Sequence, residues 1–108
     1  MISKFNVALI IAITITTISI CFAQDPAKAR AGERTYRDYC ATCHGDDLVN
    51  TSNGTFDLRK LREDERPRFE NSVTNGKNQM PPWRGVISPE QMDEIWNYIR
   101  TNANDRAK

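Results

Sequence analysis

The 108-residue chain predicts an all-α domain with long loops, and three observations predict it. Helix-start signals, Asp25-Pro26 and Ser88-Pro89-Glu90-Gln91, precede residues of helical character near both ends of the polar part of the chain. No run alternates apolar and polar residues for long, so no sheet is expected. Two tracts, residues 45–57 and 75–82, are dense in Asp, Asn, Ser, Thr, Gly and Pro and read as loop or extended chain.

The first element is a targeting signal. Met1 to Asn6 is a short polar start carrying Lys4, Val7 to Ile20 is an apolar run, and Cys21-Phe22-Ala23 leads into Gln24. That order predicts a secretory signal peptide over residues 1–23, removed after Ala23, and one domain over 24–108. The apolar run is short for a membrane span of roughly 20 residues, and Ile20 ahead of Cys21 argues against a lipid anchor there. Cleavage removes one lysine and one cysteine, leaving equal numbers of basic and acidic side chains and only Cys40 and Cys43. No membrane attachment is then expected, and the balanced charge is not that of a nucleic-acid binder. A chain this short also excludes an enzyme with separate cofactor and substrate domains. It buries little core and needs a staple: a disulfide, a metal or a cofactor.

The helices follow in order. Asp25 is a natural N-cap and Pro26 a first helical residue, opening a helix to about Cys40. Leu58 to Leu61 predicts a short helical piece, and Glu63 to Val73 another with Pro67 near its start. Gly76, Pro81 and Pro82 make the next segment extended or turning. The last helix has Ser88 as N-cap, Pro89 at its first position and Gln91 closing a capping box. Met92, Ile95, Trp96 and Ile99 form its apolar face, and it is expected to end near Asn102.

Cys40-Ala41-Thr42-Cys43-His44 is C-x-x-C-H, the c-type haem attachment sequence. Two thiols at this spacing reach the two vinyl groups of one porphyrin, and the adjacent imidazole comes up beneath the iron. A thioredoxin-like redox pair would need a βαβ context. A structural zinc site needs about four ligands. A plain disulfide leaves His44 unexplained. Haem, a large apolar disc, is also the staple that so small a core needs.

With this motif the sequence resembles the class I cytochromes c, over nearly the whole of residues 24–108. Gly32, Tyr36 and Cys40 lie four apart on the first helix, and Ile95, Tyr98 and Ile99 resemble the partner set on the last. The resemblance implies a few helices wrapped around one covalently attached haem c, the first and last helices packed across each other. Gly32, lacking Cβ, would then let two backbones approach closely.

His44 is the only histidine, so a bis-histidine haem within the chain is impossible. Of the remaining methionines, Met92 lies on the apolar stripe of the last helix and reads as core. Met80 lies between Gly76 and Pro81-Pro82, and the family's distal methionine commonly sits in such a loop. Position, setting and elimination point to His44 and Met80 as the axial iron ligands. The alternative is Met80 as a gap-filler, with the iron five-coordinate or bound to water or Lys77. The His44 ring N–H needs a carbonyl acceptor. Many class I members use a proline soon after the motif, but none occurs here before Pro67, so the acceptor is some carbonyl in the 45–57 loop. Trp83, Arg59 and Arg84 are candidate contacts to the haem propionates.

The Phe56-Asp57-Leu58-Arg59 run, the Glu65-Arg66 to Phe69 stretch and Met80-Pro81-Pro82-Trp83 resemble a narrower group. These are small periplasmic cytochromes that accept electrons from quinoprotein (PQQ) alcohol dehydrogenases. The expected function is a soluble periplasmic one-electron carrier, not an enzyme. It would be a monomer that forms weak, transient complexes with a dehydrogenase donor and an oxidase or cytochrome acceptor. Two alternatives remain: a cytochrome subunit of a larger oxidoreductase, and a ligand-binding or catalytic haem module with a labile sixth site.

Overall fold

The computed structural model describes residues 25–50 and 54–106. The expected signal peptide and its cleavage point lie outside the described residues. Four helices carry the fold: α1 (Pro26–Tyr39), α2 (Ala41–His44), α3 (Arg66–Asn75) and α4 (Pro89–Arg106). Short 3₁₀ turns at Asp46–Leu48, Leu58–Lys60 and Glu63–Glu65 fill the connections. Among the described residues the only β pairing is an isolated bridge between Lys77 and Met80, so the all-α expectation holds.

The start signals act as read. The Asp25 carboxylate accepts from the Ala27 and Lys28 backbone N–H groups at 2.9 and 3.4 Å. Ser88 and Gln91 form the reciprocal capping box: Ser88 N–H donates to Gln91 Oε1 at 2.9 Å, and Gln91 N–H donates to Ser88 Oγ at 3.1 Å. Two boundaries differ from the expectation. The stretch from Glu63 is not one helix but a 3₁₀ turn followed by α3, with Pro67 in the first helical turn. A proline has no N–H to give and is tolerated only there, so regular α-helix starts at Arg66. The last helix runs to Arg106 rather than stopping near Asn102. Ala103 is buried and continues the stripe of Trp96 and Ile99, so packing carries the helix onward.

The core lies where α1 crosses α4. A Cβ added at Gly32 would stand 1.9 Å from the Glu94 carbonyl oxygen and 2.8 Å from Ile95 N, so only glycine permits this approach. One turn on, Tyr36 is fully buried against Tyr98, ring centroids 5.1 Å apart, with Ile95 and Ile99 alongside. Each such burial contributes roughly 1.5–3 kcal/mol. Phe69 brings α3 onto the same core through Trp96 at 5.3 Å. Leu48 enters from the loop and is fully buried although its φ is +65°. Met92 is core, as expected. At one edge, Asp93 accepts from Lys28 Nζ at 2.7 Å and pairs with Arg66 at 2.9 Å, tying α1, α3 and α4 together. Among the described residues no helix is long and apolar enough to cross a membrane.

Candidate functional site

Cys40 sits at the joint where α1 ends, and its N–H donates to Tyr36 O at 2.8 Å. The single turn of α2 follows at once, so Cys40, Cys43 and His44 share one compact corner. Both thiols are free; Cys40 is half-buried and Cys43 exposed. Burial, reinforced by the neighbouring Cys43, pushes the Cys40 thiol up to about 12. The corner is anchored from behind by the buried Tyr36 hydroxyl, which donates to Gly45 O at 2.6 Å.

His44 is half-buried, and burial holds its imidazole below the usual histidine value. Nδ1 faces the Phe56 carbonyl oxygen at 3.3 Å. A carbonyl only accepts, so Nδ1 carries the hydrogen and Nε2 keeps its lone pair for a metal. Phe56 lies in the 45–57 loop, where an acceptor was expected but not identified. A backbone carbonyl has no side-chain signature, so only the fold reveals it.

Met80 is held by a tight turn. Lys77 N–H donates to Met80 O at 3.0 Å, and Met80 N–H donates to Lys77 O at 2.9 Å. Gly76 precedes the turn at φ +74°, and a Cβ there would meet Met80 O at 2.6 Å. Trp83 N–H donates to Val73 O at 2.8 Å, pinning the far side of this segment to α3. Trp83 packs edge-on against Tyr39, centroids 5.3 Å apart. The two arginines are engaged locally. Arg59 makes a two-pronged contact with Asp57, at 2.9 and 2.8 Å. Arg84 donates to Asn75 Oδ1 at 2.7 Å.

A cavity of about 450 Å³ lies between α3 and the start of α4. Trp83, Arg84, Met92 and Arg66 are among its walls, but Cys40, Cys43, His44 and Met80 are not. The chemistry therefore lies elsewhere. Cys40, Ala41, Leu58, Met80 and Trp83, from three separate segments, are partly buried apolar side chains packed against the core. That incomplete burial is what a flat apolar group would cover. Two free thiols, an imidazole with Nδ1 engaged and a thioether form a donor set suited to haem c.

An all-helical fold with a Cys-x-x-Cys-His corner closing its first helix defines a c-type haem protein. Comparison with known proteins agrees. A family model described as cytochrome c oxidase, cbb3-type, subunit III matches residues 27–99. The chain is 32% identical to cytochrome c6 of Nostoc sp. over 77 residues, covering 68% of this chain and 69% of that protein. It is 35% identical over 86 residues to the quinohemoprotein alcohol dehydrogenase ADH-IIG of Pseudomonas putida, covering 77% of this chain. It spans only 12% of that dehydrogenase's length. The solved structure of ADH-IIG superposes with a TM-score of 0.67 at 33% identity, over 79% of this chain and 13% of the other. The chain belongs to the cytochrome c family, with covalently bound haem c as its cofactor and electron carriage as its function.

Proposed function

We propose that this chain is a periplasmic one-electron carrier, exported by residues 1–23 and folded from residues 24–108. Cys40 and Cys43 hold haem c through thioethers, and His44 and Met80 ligate its iron. The observation that carries this reading is the His44 ring, turned so that Nδ1 meets the Phe56 carbonyl and Nε2 is left for a metal. The bound haem supplies an iron that alternates between ferrous and ferric. Around it, His44 is oriented by the Phe56 carbonyl. Met80, set by its short turn, would supply a thioether to the iron and, once bound, leave no open position for substrate or water. A thioether favours the ferrous state relative to a second nitrogen ligand. Of the three propionate candidates, Trp83 is partly buried against the core, as Met80 is. Arg59 and Arg84 must each share a guanidinium already bonded to Asp57 or Asn75. The likeness to ADH-IIG supports a quinoprotein alcohol dehydrogenase as electron donor, with a respiratory cytochrome or oxidase as acceptor.

Spectra of the exported, matured protein test the ligand set. The oxidised protein is expected to show a methionine–iron charge-transfer band, and the reduced protein to be unchanged by carbon monoxide. Met80→Ala should lose the band and bind carbon monoxide rapidly. Rapid binding by the parent protein would mean an open sixth site and favour a ligand-binding module. The ADH-IIG match also favours a second reading, a tightly held cytochrome subunit of a dehydrogenase. A dehydrogenase that stays with the chain through size exclusion at high salt would select it over the free carrier.

A further inference from the structure

The peptide carrying the Phe56 carbonyl is restrained from three directions. Before it, Asn50 Nδ2 donates to Thr55 O at 2.6 Å. After it, the Asp57 side chain caps the next turn by accepting from Arg59 N–H at 3.0 Å. Beside it, Arg68 of α3 lies over the Phe56 ring, guanidinium carbon 4.6 Å from the centroid. Arg68 is itself aimed: its Nη1 donates to Glu65 Oε1 at 3.0 Å, while Glu65 Oε2 accepts from Arg62 N–H at 2.9 Å. Phe56 is 41% exposed, so core packing alone does not hold it; the cation over its face does.

We infer that Arg68, through the Phe56 ring, is a positioning residue for the axial histidine, tuning the electron density that His44 gives the iron. The inference rests on His44 as an axial ligand. A hydrogen bond from Nδ1–H to a carbonyl makes the imidazole a stronger donor, which favours ferric iron and lowers the reduction potential. Loosening the Phe56 peptide weakens that bond and raises the potential. Losing the Arg68 charge would, by electrostatics alone, do the reverse, because a nearby cation disfavours ferric iron. The sign of the shift therefore separates the two roles.

The test compares the matured full-length protein with Arg68→Ala, Arg68→Lys and Phe56→Leu. Reduction potential and exchange of the His44 Nδ1–H with solvent, followed by NMR in the reduced state, are the readouts. In Arg68→Ala and Phe56→Leu the potential is expected to rise and exchange to quicken about 2- to 5-fold, the range a cation–π contact of 0.5–1 kcal/mol converts to. Arg68→Lys, which keeps a cation over the ring, should restore parent values. A fall in potential with unchanged exchange in Arg68→Ala would overturn the inference, leaving only a surface charge. So would a Phe56→Leu variant indistinguishable from the parent. A parent protein without c-type haem bands, or a His44→Ala variant with unaltered spectra, would instead remove the ligand assignment beneath it.

Discussion

Gly32 sets how near α1 and α4 approach, and the margin is below any real carbon–carbonyl contact. Gly32→Ala must push the helices apart or bend one of them, and overpacking of this kind costs typically 1–3 kcal/mol. A loss of about 3 kcal/mol is expected in denaturant titrations followed by helical circular dichroism, with a lowered midpoint and little change in slope. Much at this scale was legible beforehand. Gly32, Tyr36 and Cys40 announce themselves by spacing, because a helix places residues four apart on one face. Tyr36 against Tyr98 was readable only through the resemblance to the class I cytochromes c, since spacing along one helix does not name its partner. The Phe56 carbonyl was not, since every residue carries the same backbone oxygen. Leu48 was also missed. A leucine with positive φ breaks the local preference for glycine or asparagine there, and its burial is decided by the distant crossing of α1 and α4.

The elements begin where side-chain chemistry says they should and end where packing says. Ser88→Ala removes one half of the α4 capping box and is expected to cost about 1 kcal/mol. Hydrogen exchange should then show faster opening confined to the first turn of α4, with the Ile95–Ile99 segment still protected. Caps were legible because their hydrogen bonds are local. The far end of α4 was not, because Asn102 looks like a stop while the buried Ala103 draws the helix past it. The break at Arg66 follows from Pro67 alone and was misjudged by only one turn. The turn at Lys77–Met80 was legible as irregular from Gly76 and the two prolines. Its closure by two backbone hydrogen bonds has no sequence marker.

Across the whole molecule, the Asp93 junction joins helices from both ends of the chain. The Lys28 ammonium foremost, and then the Arg66 guanidinium, hold the Asp93 carboxyl below its ordinary value of 3.8, against an opposing push from burial. A depressed folded value stabilises the fold above the unfolded value, and the contribution is lost as pH falls through the folded one. Asp93→Asn is expected to lower stability by about 1 kcal/mol at neutral pH. The difference from the parent should shrink as pH falls through the depressed folded value and vanish once the parent carboxyl is itself protonated. Thermal melts across the acid range check this. A gap between the two that persists unchanged into acid would mean the junction works through shape and not charge.

The meeting of α1 with α4 also has a temporal side. A polypeptide is made from its N-terminus, and α1 cannot complete its contacts until α4 arrives. Gly32 and Tyr36 wait for Glu94, Ile95 and Tyr98, some sixty residues later. Contacts so distant in sequence form late. During that interval the Cys40 side chain, half-buried at the end of α1 in the finished fold, stands on open chain. The order of the helices thus leaves the end of α1 uncovered until α4 packs across it.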